Sequence, residues 1–261
     1  MSRDRGVVDP KALFDLTDRV AIVTGGSRGL GRSIAQGFAA AGARVVIASR
    51  NLDACQAVVK EIEFDGGQAL AVAAHLGRLD DISQLVERAV ERFGGIDIVV
   101  NNAANPLGMQ LRETTEVAFA KSFEVNVRGP LFLCIRALEH LASSGRGVVI
   151  NVITAGAFRP GESLGLYCAG KAALWNLTKT MAKEWAPLGL RVNAIAPGPF
   201  ETEMMAPTLR DPERRAAIVA SNPLRRIADP REIVGAALFL ASDASSYVTG
   251  SVLAVDGGTL A

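Results

Sequence analysis

The sequence predicts an α/β fold: a doubly wound parallel sheet of about seven strands with helices on both faces, in a single domain. Three observations carry that expectation. Short runs rich in β-branched residues alternate with longer helical stretches along the chain, the order that βαβ units produce. The short runs are mainly continuous apolar stretches rather than alternately polar, as suits strands buried on both faces. The first run passes through a glycine-rich turn directly into a helical stretch, "VAIVTGGSRGLGRSIAQGFAAAG".

In order, the expected strands are "VAIVT" (20–24), "RVVIA" (44–48), "ALAVA" (69–73), "IDIVVN" (96–101), "GVVINV" (147–152), "RVNAI" (191–195) and "SVLAV" (251–255). Helices are expected over about 29–41, 52–64, 80–93, 115–143, 163–187 and 229–241. Residues 1–17 read as an N-terminal extension and 18–261 as the single domain. The stretch 199–223 is rich in prolines and charges and fits no strand; insertions of that kind often serve as lids.

The chain has 261 residues, long enough to bury a large core. Its net charge of +1 gives no electrostatic case for nucleic acid or an anionic membrane as partner. No apolar run reaches the ~18 residues that span a bilayer, and the first residues lack the apolar centre of a secretory signal. Cys55, Cys134 and Cys168 show no metal-like spacing, so a reduced, cytoplasmic protein is expected. Two distant histidines, His75 and His140, argue against a zinc site or a Ser-His-Asp triad. No metal is expected.

The glycines of the first turn are Gly25, Gly29 and Gly31. Glycines let a backbone turn tightly and approach a diphosphate, whose charge meets the free N–H groups of the following helix. The second strand ends in Ser49 and Arg50, where an NAD site usually carries an acidic side chain for the ribose hydroxyls. Arg50, with Arg28 of the turn, suits a 2′-phosphate instead, since the planar guanidinium fork matches phosphate oxygens. NADP(H) is therefore the expected cofactor, with NAD(H) possible.

"TAGAFRPGESLGLYCAGK" (154–171) places Tyr167 and Lys171 four residues apart on one helix face. A free tyrosine has a pKa near ~10, and lowering it by ~3 units takes about 4 kcal/mol. One ammonium at ~4 Å supplies roughly that at a dielectric of 20. Lysine would then make the tyrosine a proton donor and acceptor near neutral pH, and the Thr154 hydroxyl could donate to a developing alkoxide. Alone, such a pair is also an ordinary helix face.

With the glycine turn, these residues resemble the short-chain dehydrogenase/reductase family over about residues 18–258. "TGGSRGLG" (24–31) matches its TGxxxGxG, "NNAA" (101–104) its NNAG, "EVNVRG" (124–129) its helix asparagine and "YCAGK" its YxxxK. "RVNAIAPGPFET" (191–202) and "YVTGSVLAVDGG" (247–258) match its proline–glycine and C-terminal segments. The resemblance implies a Rossmann-type sheet and a catalytic tetrad of Asn126, Thr154, Tyr167 and Lys171. Tyr167 would protonate the carbonyl oxygen, or deprotonate the alcohol in reverse. Lys171 would lower the tyrosine pKa and bind the nicotinamide ribose, Asn126 hold a relay water, and Thr154 orient the substrate oxygen.

The resemblance also places the cofactor. Its diphosphate would lie on Gly25, Ser27, Arg28, Gly29, Leu30 and Gly31, and its adenosine end by Ser49, Arg50, His75 and Leu76. Asn102, Ala103 and Ala104 would line the middle; Tyr167, Lys171, Pro197, Gly198, Phe200 and Thr202 would line the nicotinamide end. Threonine stands at 154 where serine is usual, adding a methyl group and a stiffer χ1. Cys168, Trp175 and Trp185 read as packing, the tryptophans also as subunit contacts, and Asp256 as part of the C-terminal turn.

Leu107, Met109, Ala155, Phe158, Met204 and Met205 would line an apolar, adaptable pocket, favouring an apolar ketone or acyl-type substrate. The partners expected are that small-molecule carbonyl or alcohol and, by resemblance, further copies in a homotetramer. An NADPH-dependent carbonyl reductase is the first reading. An NAD-linked alcohol dehydrogenase is the alternative, and so is a dinucleotide-binding protein whose catalysis Thr154 has weakened.

Overall fold

The structure, a computed structural model, describes residues 9–261. The first eight residues of the expected extension lie outside the described residues. Helix α1 (Pro10–Leu13) is capped by the Asp9 carboxylate, which accepts from the Lys11 amide. Leu16 is fully buried in the main core, and its amide donates to the Ala41 carbonyl at 2.8 Å. The folded domain therefore begins ahead of Asp18, a correction to the boundary expected there. A lone leucine before the first strand gave no periodic signal for this.

Seven parallel strands form one sheet: β1 (Val20–Thr24), β2 (Arg44–Ser49), β3 (Gln68–Ala73), β4 (Ile98–Asn101), β5 (Val148–Val152), β6 (Arg191–Pro197) and β7 (Val252–Val255). Their spatial order is β3-β2-β1-β4-β5-β6-β7. In register, Ala21 of β1 faces Val45 of β2 and Ile98 of β4. The chain reverses its winding direction between β1 and β4, and the crevice at the carboxyl ends of those strands is where such sheets hold ligands.

Side-chain alternation along the strands feeds two cores. Ala21 and Val23 pack with α2 (Gly29–Ala40) and α3 (Leu52–Phe64) on one face. Val20 and Ile22 face α4 (Leu79–Phe93) on the other. The expected helix over 115–143 is interrupted. It runs as α5 (Glu116–Phe123), a π-turn (Glu124–Arg128) and α6 (Gly129–Ser143), with α6 packed on the second face. Within the π-turn the Gly129 amide reaches the Glu124 carbonyl, five residues back. Pro130 supplies the physical reason: it lacks the N–H that would bond the Asn126 carbonyl in an α-helix.

Helix α7 (Gly165–Trp185) fills most of the expected 163–187 stretch. Within 199–223, α8 (Ala206–Leu209) and α9 (Pro212–Ser221) form, and Glu201 pairs with Arg215 at 2.6 Å. The signal for α9 was present: Asp211 caps it and Pro212 occupies its first turn. The last helix starts as a 3₁₀ turn (Pro230–Ile233) with a capping box from Asp229 and Glu232, and continues as α10 (Val234–Ala241). No helix among the described residues is long and apolar enough to cross a membrane.

Candidate active site

The turn from β1 into α2 needs its glycines for two reasons. Gly25 and Gly29 have φ of 65° and 54°, the region costly for residues with a Cβ. Gly31 has no room, because a Cβ there would collide with the Gly25 carbonyl and Asn102 Nδ2. The Asn102 amide nitrogen donates to the Thr24 and Gly25 carbonyls at 2.9 and 3.2 Å. Thr24 Oγ1 accepts from the Asn102 and Ala103 amides at 3.0 and 3.1 Å. The "NNAA" segment thus clamps the glycine turn from the next strand.

Helix α2 opens with no acidic residue in its first turn and no side chain bonded to its first amides. Such a helix start, reached through a glycine-rich turn, fits a dinucleotide diphosphate. Ser27, Gly29 and Leu30 are half-buried around it and Arg28 is exposed. Thr202 also reaches it: its Cγ2 lies 3.4 Å from where a Gly29 Cβ would stand.

At the end of β2, Arg50 is exposed. Neither Arg28 nor Arg50 has an ion pair among the described residues. The Ser49 hydroxyl is already used locally, donating to the Asn51 carbonyl at 3.1 Å. His75 Nδ1 accepts from the Gly77 amide at 3.0 Å, which commits that nitrogen to its own loop. Leu76 is buried beside it. Ala103 and Ala104 are half-buried. Pro197 ends β6, and a Cβ on Gly198 would stand 2.6 Å from Asp256 Cα. Phe200 is 2% exposed with its side chain in the main core, which leaves its backbone for the contact expected there. Asp256 closes the C-terminal turn, accepting from the Gly258 and Leu260 amides.

The four tetrad positions converge through backbone rather than side-chain contacts. Lys171 is 1% exposed, and its Nζ donates to the Val152 carbonyl at 2.7 Å, two residues before Thr154. Gly170, just before it, lies against the π-turn: a Cβ there would be 3.4 Å from Asn126 Cβ. Asn126 is fully buried. Its Oδ1 accepts from the Asn105 amide and its Nδ2 donates to the Asn105 carbonyl, both at 3.0 Å. The Asn126 side chain therefore clamps the strap after β4. The Asn126 main-chain carbonyl lacks the α-helical donor that Pro130 cannot supply.

Thr154 caps the 3₁₀ turn Ala155–Ala157, its Oγ1 accepting from the Gly156 amide at 3.2 Å. With that lone pair used, the hydroxyl proton is left to donate. Tyr167 is half-buried on α7, with Lys171 Nζ 5.9 Å from its ring centroid. Burial, and then the neighbouring Cys168, push the Tyr167 phenol up. Burial also lowers the Lys171 ammonium to about 7. In the protein without cofactor the net shift of the tyrosine is therefore upward. The ammonium is itself desolvated, and burial of the phenol sets the direction of the tyrosine shift.

Met109 and Ser163 bring the strap over the start of α7, through an amide-to-carbonyl bond of 2.7 Å. Leu111 packs there too, 3.1 Å from where a Gly165 Cβ would stand. Phe158 and Trp175 lie with ring centroids 6.3 Å apart, and Trp185 is buried in the second core. Sequence reasoning missed Pro130, Gly170, Asn105 and the Val152 carbonyl. Only the first two carried a sequence signal, a helix breaker and a glycine where two helices meet.

Comparison with known proteins adds an independent line. The family model described as enoyl-(acyl carrier protein) reductase matches residues 25–259. The 3beta-hydroxysteroid dehydrogenase 1 of Eggerthella lenta is 39% identical over 246 residues, covering 94% of each chain. A 7 alpha-hydroxysteroid dehydrogenase complexed with NADH and 7-oxo glycochenodeoxycholic acid superposes with a TM-score of 0.93 at 33% identity, over 96% of this chain and 98% of that one. A 3-oxoacyl (acyl-carrier-protein) reductase from Agrobacterium tumefaciens C58 with NADP bound gives 0.90 at 34% identity, over 95% and 97%.

Proposed function

The chain belongs to the short-chain dehydrogenase/reductase family, and from that premise we propose that it is an NADP(H)-dependent oxidoreductase acting on a carbonyl or secondary alcohol, with Tyr167 as general acid and base. The observation that carries this reading is the bond from Lys171 Nζ to the Val152 carbonyl. It holds the tyrosine helix against the strand end that carries Thr154, beside the turn fitted for a dinucleotide.

When bound, the nicotinamide supplies the hydride acceptor or donor. The α2 start and the glycine turn receive the diphosphate, and Arg28 and Arg50 receive a 2′-phosphate. Burial keeps the Tyr167 phenol protonated, so it carries the proton that the carbonyl oxygen takes during reduction. The Thr154 hydroxyl donates to the same oxygen. Lys171, with a pKa of about 7, gains and loses a proton near neutrality and passes it towards Tyr167. The Asn126 carbonyl anchors the water at the outer end of that relay.

Leu111, Phe158 and Leu164 are exposed apolar side chains around the strap and the start of α7, supporting an apolar ketone or acyl-type substrate. A cytoplasmic homotetramer is part of the same proposal. An NAD-linked dehydrogenase is the second reading, favoured by the neighbour complexed with NADH.

The test is steady-state oxidation of NADPH and NADH against apolar ketones and acyl thioesters, with Tyr167→Phe alongside. Turnover preferring NADPH, and lost in the variant while cofactor binding persists, is expected. Equal turnover by Tyr167→Phe would exclude the assigned proton donor.

A further inference from the structure

We propose that Cys168 and Gly156 form a size-matched pair that positions the Thr154 hydroxyl, making Cys168 a positioning residue for the reaction. The inference rests on the proposed role of Thr154 and goes beyond it.

The argument starts from the space around Gly156. No positive φ requires glycine there, yet a Cβ would lie 2.8 Å from Cys168 Sγ. That is closer than side-chain carbons pack, so the sulfur occupies the room a larger residue would need. Cys168 is 4% exposed. Burial raises its thiol pKa, with the Gly161 backbone acting against this. The sulfur is thus a neutral packing group wedged against the loop that follows Thr154.

Gly156 matters because of what its amide does. It donates to Thr154 Oγ1 at 3.2 Å, and the Ala157 amide bonds the Thr154 carbonyl at 3.0 Å. These two bonds define the turn and leave the threonine hydroxyl one proton to direct outward. A displaced Gly156 would free Oγ1 to rotate or to direct its proton at a backbone carbonyl.

Cys168 also directly follows Tyr167. Neighbouring residues on a helix point ~100° apart, so α7 sends the phenol to the site and the sulfur to the turn behind it. One helical turn therefore sets both groups that act on the substrate oxygen. Contact between sulfur and glycine fixes their mutual distance, a geometry on which rate depends steeply.

The test is a double-mutant cycle of Gly156→Ala, Cys168→Ala and the pair. Gly156→Ala alone is expected to lower kcat by about tenfold or more, as ångström-scale misplacement does, without changing NADPH affinity measured by fluorescence. Cys168→Ala alone removes the sulfur that backs the turn and is expected to lower kcat about three- to fivefold, less than Gly156→Ala, again without changing NADPH affinity. The double variant makes room for the new methyl and recovers kcat to near the Cys168→Ala value, a coupling between contacting residues. A double variant no faster than Gly156→Ala would overturn the proposal.

Crystal structures of the same variants provide a readout that needs no turnover. The bond from the residue 156 amide to Thr154 Oγ1 should be lost in Gly156→Ala and restored in the double. Its retention in Gly156→Ala would overturn the pairing even if the wild-type protein turned over no substrate in the panel.

Discussion

Lys171 Nζ donates to the Val152 carbonyl at 2.7 Å from a side chain only 1% exposed to solvent. Burial holds the folded-state pKa at about 7 against an ordinary value of 10.5. Between those values the unfolded chain binds more protons than the folded one, so stability rises with pH there. It is lost as pH falls towards 7 and does not fall further on this account below it. Lys171→Met should flatten that slope, stabilise the protein near neutrality and abolish turnover. Urea unfolding across the interval checks the first two; an unchanged slope in the variant would place the ammonium in a solvated state.

The buried phenol gives the two reaction directions different pH dependences. Reduction needs the protonated tyrosine that burial favours. Oxidation needs the phenolate, which grows as pH rises. Alcohol oxidation should therefore climb with pH through the alkaline range, while carbonyl reduction should hold level or decline. Tyr167→Phe should cost both directions about 10²–10⁴-fold, with cofactor affinity retained. A flat oxidation profile would assign the proton transfer to another group.

Arg28 and Arg50, beside the nucleotide turn, have no carboxylate partner among the described residues. Each bond from a guanidinium to phosphate contributes about 1.5–3 kcal/mol. Arg50→Ala should raise the KM for NADPH by about ten- to a hundredfold and leave the KM for NADH nearly unchanged. Arg28→Ala should act in the same direction, less strongly, since Arg28 lies nearer the diphosphate that both cofactors share. Equal losses for both cofactors would refute a 2′-phosphate role.

Much of this was legible before any coordinates. All seven strands fall within two residues of their apolar runs, because a buried parallel sheet needs runs of that length and composition. Tyr167, Lys171, Asn126 and Thr154 came from motif order, and their convergence depends on contacts that motifs do not encode. The π-turn was foreshadowed by Pro130, four residues after Asn126, yet the apolar period hid the break. Leu16 has no local pattern, and its burial follows from where α2 happens to end. The upward net shift of Tyr167 was not legible, because a pair interaction can be read from spacing whereas desolvation belongs to the assembled site. The Phe200 side chain lies in the core, which its place in a motif did not reveal.

Glu203 reaches the helix start proposed to receive the diphosphate. Its Oε2 lies 3.5 Å from where a Cβ on Gly29 would stand, just beyond Thr202. The α2 start attracts a carboxylate for the same reason that it attracts phosphate, so the two compete for one place. Cofactor binding must turn this side chain away or accept its repulsion. Glu203→Gln should therefore tighten NADPH and NADH alike, by about two- to tenfold at low ionic strength, with the gain shrinking as salt screens the charges. Fluorescence titrations of both cofactors at two salt concentrations measure it. The common effect separates Glu203 from Arg50, whose influence falls on one cofactor only. Weaker binding by Glu203→Gln would mean instead that the carboxylate holds the lid in the binding geometry, through the Glu201–Thr202 segment that reaches Gly29.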